Sequence, residues 1–284
     1  MGRRLSDLLH GRRGMQVGSL LLPPGTWLVV LYLGSLALLL VTAFWTVDPV
    51  SGLVTKSFSL ENFERLFNEP VYGTIIWRTV RTAALVTLTD AAIAFPIAFY
   101  MAKLASRRGK AILVIAVLMP LWSSYLVKIL SWHTMLAENG VINWMLGPLG
   151  LHGPEEGLTA VWLVLSYLWL PYMILPIYAG LERIPDSLIS ASEDLGAAPF
   201  TTFRRVILPL AFPAVVAGSI FTFSLSLVDF FTPKLVSNSQ LIGNTIFSEI
   251  TVDQPFAATL ALVPIVVMVA YLAVARKLGA FEHV

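Results

Sequence analysis

The chain alternates between long apolar runs and short polar segments. A membrane-spanning helix needs about 20 mostly apolar residues, and six stretches of the sequence satisfy that length. Their length and continuity predict an all-α membrane protein in which six transmembrane helices form one bundle. The predicted spans are 26–45, 82–101, 112–132, 158–180, 213–231 and 256–275.

Composition points to lipid as the solvent of these helices. Of the 284 residues, 57% are hydrophobic and 13% are charged, whereas about 25% of residues are charged in an ordinary soluble domain. A soluble fold of this size cannot cover so much apolar surface. The first apolar run is too long for a secretory signal peptide, and no clear small-residue cleavage site follows it, so we expect it to remain as a span.

Lys and Arg lie mainly on one side of the predicted spans. They concentrate in the tails 1–25 and 276–284 and in the loops 102–111 and 181–210, while the opposite loops hold most of the Asp and Glu residues. The positive-inside rule therefore places both termini in the cytoplasm. The domain organisation that follows is a single membrane domain, 26–275, between two short cytoplasmic tails.

Two segments on the predicted outer side are too long to be simple turns. Residues 59–67 are predicted to form a short surface helix with Ser59 as its N-cap. Gly140 breaks the chain before a short apolar run at 141–146, which suits either a partly inserted helix that does not span the membrane or an interfacial loop. The expected apolar stripe of the first helix consists of Leu60, Phe63 and Phe67.

The predicted cytoplasmic loop 181–210 is the most informative segment of the chain. Its first part, 185–196, has the pattern of a short helix, with Asp186 or Ser187 as its N-cap. Gly196 is placed to end that helix. The carboxylates near the C-terminal end of this helix interact unfavourably with the helix dipole. Their presence there indicates a function other than local stability.

A second short helix is predicted beyond Pro199, which separates the two helical runs. This run covers 200–208 and ends at Pro209, so the loop is predicted to form a helix–turn–helix along the membrane surface. Small side chains let the backbone of another protein approach closely, although a surface loop without a partner fits the same residues. The predicted contact side consists of Ser190, Ala191, Ser192, Gly196, Ala197 and Ala198.

This loop resembles the signature loop of binding-protein-dependent ABC importer permeases. The family pattern is Glu-Ala-Ala, three residues, Gly, nine residues, then Ile-x-Leu-Pro, and the spacing is kept here without a gap. Ser190 replaces the family's Glu, which removes the charge at that position. Across most of its length the chain resembles the spermidine/putrescine-type permeases. The residues that the resemblance assigns to ATPase coupling are Ser190, Ala191, Ser192, Asp194, Gly196, Ala197, Leu208 and Pro209.

The resemblance implies a type I permease bundle in the bacterial inner membrane. It also implies that the chain works with a second homologous permease subunit, a dimer of ABC ATPase subunits and an external solute-binding protein, and that no nucleic acid takes part. The chain has no Gly-x-x-x-x-Gly-Lys-Ser/Thr phosphate loop. ATP and Mg²⁺ are therefore expected on the ATPase subunits, and this chain is expected to carry no cofactor and no catalytic residue.

Charged and aromatic side chains within the spans are the candidates for contact with the solute. Asp90 lies in the second span, where a carboxylate costs about 2.5–3.5 kcal/mol. It either faces a solute path or bonds Thr87 or a neighbouring helix. Asp229 with Phe230 suits an ammonium group by charge pairing and cation–π contact, and it equally suits a capping role. The other candidates are Trp122, Tyr125, Trp169 and Tyr172.

The family resemblance favours a polyamine as the solute, while another small cation, an iron complex and an organic anion stay open. The chain has no cysteine and only four His, so thiolate chemistry is excluded and a metal site is not expected. A secondary transporter is expected to show ionisable residues in several spans and two similar halves. A membrane enzyme needs clustered catalytic side chains. The sequence shows neither pattern.

Overall fold

The structure is a computed structural model that describes residues 13–48 and 51–277. Residues 1–12 and 278–284, which belong to the two predicted tails, lie outside the described residues.

Helices make up most of the described chain. Its first part contains α1 (Arg13–Trp27), a π-helical turn (Leu28–Leu33), α2 (Gly34–Thr42), β1 (Thr46–Val47), β2 (Val54–Thr55), α3 (Glu61–Asn68), α4 (Pro70–Phe99), a π-helical turn (Tyr100–Leu104), α5 (Arg107–Leu118), a 3₁₀ turn (Met119–Trp122) and α6 (Tyr125–Leu136). Its second part contains α7 (Val141–Leu146), a 3₁₀ turn (Gly147–Leu149), α8 (Leu158–Glu182), α9 (Asp186–Asp194), α10 (Pro199–Thr202), a π-helical turn (Phe203–Ile207), α11 (Leu208–Val228), α12 (Phe231–Val236), α13 (Ile242–Glu249) and α14 (Gln254–Lys277).

Five helical segments in the described residues are long and apolar enough to cross a membrane. Each contains most of one predicted span, so five of the six predicted spans are confirmed as continuous helices. The two strands β1 and β2 form a small antiparallel hairpin after the first span. The five segments are Leu20–Thr42, Pro70–Leu104, Leu158–Glu182, Pro199–Val228 and Gln254–Lys277.

The third predicted span, 112–132, is not one straight helix. The structure divides it into α5 with its 3₁₀ turn and α6, and the two helical segments are bent by 91° at Ser123 and Ser124. The short helix expected after Gly140 is present as α7. Counted as one broken span, this bent pair gives the six predicted spans, and the break lies within the predicted 112–132.

Pro120 and its neighbours explain the break. In a straight helix the amide of Ser124 would donate to the carbonyl of Pro120. Instead, that carbonyl accepts hydrogen bonds from Ser123 N at 3.3 Å, Ser123 Oγ at 2.8 Å and Lys128 Nζ at 3.2 Å. An unpaired backbone group in the apolar part of a membrane costs on the order of several kcal/mol. The break is tolerated because side chains replace the missing helical bond.

Helices α4, α8 and α11 form the core of the bundle, since each packs against the other two. Their contact depends on small residues. A Cβ at Gly218 would lie 2.8 Å from the Sδ of Met173, and a Cβ at Gly180 would lie 2.3 Å from the Cβ of Ala214. Membrane helices associate through such close packing because lipid provides little hydrophobic drive. The main buried cluster includes Ala94, Ala98, Met101, Met173, Ile177, Leu181 and Ala211.

The surface helix predicted at 59–67 is confirmed as α3. Its N-cap position is Leu60 rather than the predicted Ser59, although Ser59 Oγ accepts a hydrogen bond from Glu61 N at 3.2 Å. The predicted stripe is wrong, because Phe67 is 81% exposed and Leu60 is 51% exposed. The buried face instead carries Asn62 and Leu66.

Asn62 is buried because its side chain donates hydrogen bonds to backbone carbonyls at the end of the first span. Its Nδ2 donates to the carbonyl of Ala43 at 3.2 Å and to that of Trp45 at 2.7 Å. The carbonyl of Ala43 also accepts from Thr259 Oγ1 of α14 at 3.1 Å. Helix ends leave carbonyl groups without partners, so this polar contact joins the first span, α3 and the last span.

We predict that Asn62→Ala lowers the stability of the folded protein. A buried acceptor left without its donor typically costs about 1–3 kcal/mol, and the Trp45 carbonyl would lose its Asn62 donor. The measurement is the melting temperature of the detergent-solubilised protein. Asn68→Ala at the exposed end of the same helix is the matched control. Equal melting temperatures for the two variants would contradict this role of Asn62.

Candidate functional site

The coupling turn (residues 186–202) has the predicted helix-and-stop geometry. Helix α9 ends at Asp194, and Gly196 follows its C-cap residue with φ +78°. The amide of Gly196 donates to Glu193 O at 2.8 Å and the amide of Ala197 donates to Ser192 O at 3.1 Å. This pair of bonds with a left-handed residue is the Schellman motif. The glycine is therefore required by the backbone, as the sequence predicts.

The start of α9 differs from the expectation. Neither Asp186 nor Ser187 caps the helix, since the N-cap position is Pro185 and no side-chain cap bond is present there. The Asp186 carboxylate instead forms an ion pair with Lys103 Nζ at 2.7 Å. The hydrogen bond and the charge of Lys103 lower the pKa of the Asp186 carboxyl below its usual value. The carboxylate is thus ionised at neutral pH and available to the lysine.

The second helical run does not end at Pro209 as predicted. A helix continues from Pro199 to Val228 through the π-helical turn, so the fifth span begins at α11 rather than at residue 213. A π-helical turn shifts the backbone bonding register. Pro209 lies two residues after the π-helical turn. A proline within a helix removes one backbone hydrogen bond, and a local π adjustment is one way in which a membrane helix accommodates that loss. The coupling turn and the fifth span are consequently one continuous helical piece.

The predicted contact residues lie on the surface of the coupling turn. Ser190, Ala191 and Gly196 are exposed, whereas Ser192 and Ala197 are half-buried. A 2.9 Å hydrogen bond between Ser192 Oγ and Thr202 Oγ1 holds the two arms of the turn together. Of the other candidates, Asp194 and Pro209 are exposed and Leu208 is half-buried.

Two large apolar side chains accompany these small residues. Leu195 is 88% exposed and Phe200 is 72% exposed in the isolated chain. Sequence reasoning missed both, although their place on either side of Gly196 and Pro199 was a signal. Exposed apolar side chains beside small ones fit a surface that another protein covers.

A second group of candidates meets where two helices are interrupted. Helix α11 ends at Val228, and two residues separate it from the start of α12 at Phe231. Between them, Asp229 Oδ1 accepts a hydrogen bond from Thr232 N at 2.9 Å, and Asp229 Oδ2 accepts one from the hydroxyl of Tyr125. Tyr125 is the first residue of α6, directly after the break in the third span. One carboxylate thus joins the two interrupted helices, and we name this contact the Tyr125–Asp229 junction.

Aromatic rings surround the Tyr125–Asp229 junction. Tyr125 stacks on Trp169 with centroids 5.9 Å apart, and Trp169 meets Tyr172 edge-on at 5.9 Å. Phe230 stacks on Phe247 at 4.8 Å. The structure therefore brings together the predicted candidates of the third, fourth and fifth spans. The sequence did not single out Phe247, because α13 that carries it lies outside the predicted spans.

Two predicted candidates lie apart from this group. Trp122 is 86% exposed and makes no ring contact within the described chain. Asp90 is fully buried in α4. The expected bond from Thr87 to Asp90 is absent, because the Thr87 hydroxyl donates to Ala83 O at 2.8 Å. Neither oxygen of Asp90 has a hydrogen-bond partner among the described residues.

The geometry determines what the junction can do. Asp229 is only 7% exposed, and both of its oxygens accept bonds from the protein. Its demonstrated contacts match the capping alternative of the sequence analysis. Beside the junction, the rings of Trp169 and Tyr172 are half-buried.

Comparison with known proteins identifies the family. Residues 83–279 match the family described as binding-protein-dependent transport system inner membrane component. The chain is 45% identical to the inner membrane ABC transporter permease protein YdcU of Escherichia coli K12, over 98% of this chain and 95% of that protein. It is 32% identical to the spermidine/putrescine transport system permease protein PotB of Haemophilus influenzae, over 84% of this chain and 85% of that protein.

A solved structure shares the fold. A chain of the bacterial alginate ABC transporter, crystallised in complex with an alginate pentasaccharide-bound periplasmic protein, superposes with a TM-score of 0.74. The superposition covers 97% of this chain and 98% of the other chain at 18% sequence identity. The sequence and structural matches support neither a secondary transporter nor a membrane enzyme. The chain belongs to the inner membrane components of binding-protein-dependent transport systems, and it is a non-catalytic permease subunit of an ABC importer.

Proposed function

We propose that this permease subunit imports a polyamine such as spermidine or putrescine. It acts with a second homologous permease subunit, a dimer of ABC ATPase subunits and an external solute-binding protein. ATP and Mg²⁺ bind to the ATPase subunits, and this chain carries no cofactor. The observation that supports the coupling part is the exposed coupling turn, whose small and apolar residues are fixed by the Schellman motif at Gly196.

The proposed cycle uses the coupling turn as the contact with the ATPase. Closure of the ATPase dimer around ATP displaces the turn, and the displacement reaches the bundle as a rigid-body movement. The hydrogen bond between Ser192 and Thr202 keeps the turn from deforming. Because the turn continues directly into the fifth span, displacement of the turn also moves that helix.

Three observations support a cationic solute. One relative, 32% identical to this chain, is a spermidine/putrescine permease. The aromatic faces around the Tyr125–Asp229 junction suit ammonium groups. A cavity of about 570 Å³ at the end of the bundle opposite the coupling turn is lined by His133, Glu138, Glu155 and Glu156. A concentration of negative charge in a cleft attracts cations before they enter.

The proposed orientation follows from the distribution of basic residues. Lys and Arg near the coupling turn and in both tails place that side in the cytoplasm. Helix α3 and the acidic cavity then lie on the side of the external binding protein. This assignment agrees with the docking of a cytoplasmic ATPase on the coupling turn.

We predict that Gly196→Trp abolishes transport while the protein stays in the membrane. A Cβ at this position meets no other atom of the chain within 4 Å, so the added ring projects toward a partner rather than into the fold. The positive φ also disfavours residues with a Cβ by about 1–2 kcal/mol. Gly196→Asn is the control, since Asn tolerates this conformation and is much smaller. Normal uptake by the Trp variant would refute docking at this surface.

Membrane orientation is testable because the chain has no cysteine. Ser57, in the segment before α3, and Arg108, in the first turn of α5, are both exposed positions for a single cysteine. In intact cells, a membrane-impermeant thiol reagent should label the Ser57→Cys variant and spare the Arg108→Cys variant. Permeabilised cells should show labelling of both. The reverse pattern in intact cells would invert the proposed orientation.

The variant Asp229→Asn tests whether the solute is a cation that depends on the charge of Asp229. Asn keeps one oxygen that accepts from Thr232 N, and its Nδ2 can donate to the Tyr125 hydroxyl in place of the second carboxylate oxygen. The shape is kept and the negative charge is removed. We predict that polyamine uptake falls roughly ten-fold, about 1.4 kcal/mol, while basal ATPase activity and assembly are unchanged. Tyr125→Phe is the comparison, because it removes a junction hydrogen bond and keeps the charge. Uptake kinetics equal to those of the parent would assign Asp229 a purely structural role.

A further inference from the structure

Lys103 connects the second span to the coupling turn. It lies in the π-helical turn that continues α4, and its side chain is only 9% exposed. Its Nζ donates to the backbone carbonyl of Ile184 at 2.5 Å and pairs with Asp186 Oδ1 at 2.7 Å. One ammonium group therefore holds the residues on both sides of the point where α9 begins.

The surroundings of Lys103 fix this contact. Ile184 belongs to the main buried cluster together with Met101, Ala102 and Leu181. An ammonium group shielded from water by apolar side chains costs free energy unless it is paired and hydrogen-bonded. Loss of either acceptor would therefore be unfavourable for Lys103. The two contacts hold the first turn of α9 against the end of α4.

A second lysine braces the same region. Lys110 Nζ donates to Ala102 O at 2.7 Å and lies 3.6 Å from Glu182 Oε1. The same carboxylate oxygen accepts a hydrogen bond from the hydroxyl of Tyr178 at 3.0 Å. These contacts connect α5 and the end of α4 to the end of α8. None of these hydrogen bonds and ion pairs involves a residue of α9, so they do not replace the contact that Lys103 makes with that helix.

The remaining connections of α9 lead elsewhere. The covalent chain joins α9 to α8 on one side and to α10 and α11 on the other, and the Ser192–Thr202 bond also leads to α10. Helix α4 packs against both α8 and α11 in the core. In the described residues, the charged and hydrogen-bonded contacts between α4 with its π-helical turn and the start of α9 are those of Lys103.

We propose that Lys103 is the positioning residue that transmits displacement of the coupling turn to the second span. This inference rests on the proposed docking of the turn on an ATPase subunit. When the ATPase moves α9, Lys103 carries the cytoplasmic end of α4 with it. Loss of this contact removes the charged and hydrogen-bonded link between α9 and the second span and leaves the apolar contact of Ile189 with the main buried cluster. ATP is then hydrolysed with less solute moved per cycle.

The test measures solute transported per ATP hydrolysed by the complete complex in proteoliposomes. Lys103→Met keeps the apolar stem and removes the charge and the donors. We expect the ratio to fall about ten-fold, with ATPase activity and copurification of the ATPase retained. Arg108→Met is the matched control, because Arg108 is an exposed cation of the neighbouring segment, and it should keep the parent ratio.

A merely structural role for Lys103 predicts a different result. In that case Lys103→Met lowers the amount of folded complex, and the ratio per surviving complex equals that of the parent. This outcome overturns the inference while the docking proposal stands. Failure of the parent chain to copurify with any ATPase subunit overturns the docking proposal itself and the inference with it.

Asp186→Ala provides the same measurement on the exposed side of the contact. The side chain of Asp186 is 84% exposed, so this change leaves the core intact even if Lys103→Met accumulates poorly. The ratio of solute transported to ATP hydrolysed should also fall in this variant. The decrease should be smaller than in Lys103→Met, because Lys103 keeps its hydrogen bond to the Ile184 carbonyl. If both variants accumulate, the double variant should be no worse than Lys103→Met, since the two changes affect one contact. An unchanged ratio in Asp186→Ala, or additive losses in the double variant, argues against transmission through the pair.

Discussion

Close backbone contact among α4, α8 and α11 is the constraint on which the other features depend. Gly180 and Gly218 allow that contact, because a side chain at either position would overlap an atom of the facing helix. Lipid gives apolar helices little reason to associate, so tight packing has to supply the attraction. The three packed helices hold the coupling turn at one end and the interrupted helices toward the other, so each site is built on a common rigid support.

The two interrupted helices show how polar groups are accommodated inside such a bundle. At the first break, Ser123 and Lys128 satisfy the carbonyl of Pro120. At the second, Asp229 accepts bonds from Thr232 and from Tyr125. Non-helical backbone at membrane depth is tolerated only where protein or water satisfies it. The breaks therefore place polar side chains where an unbroken apolar helix would have none.

Features determined by local chemistry were predictable from the sequence. The spans follow from apolar length, and the end of α9 follows from a glycine with the spacing of a helix stop. Features determined by tertiary contact were not. Pro120 alone permits either a mild kink or a full break, and the outcome depends on Lys128. Asp186 has the residue type of a cap, but Lys103, 83 positions earlier, binds it instead. Asn62 interrupts an apolar stripe because two carbonyls of another segment require a donor.

The continuous helix from Pro199 to Val228 determines how far a movement of the coupling turn extends into the bundle. Its 30 residues form a rod about 45 Å long at 1.5 Å per residue. One end carries the exposed Phe200, and the residue directly after the other end is Asp229. If such a rod pivots by about 5° about the end that carries Phe200, the end next to Asp229 moves by roughly 4 Å. That travel exceeds the length of a hydrogen bond, so a tilt of this size would separate Asp229 from Tyr125. Under the proposed docking of the turn, the helix would act as a lever arm that converts a small tilt into the opening of a polar contact.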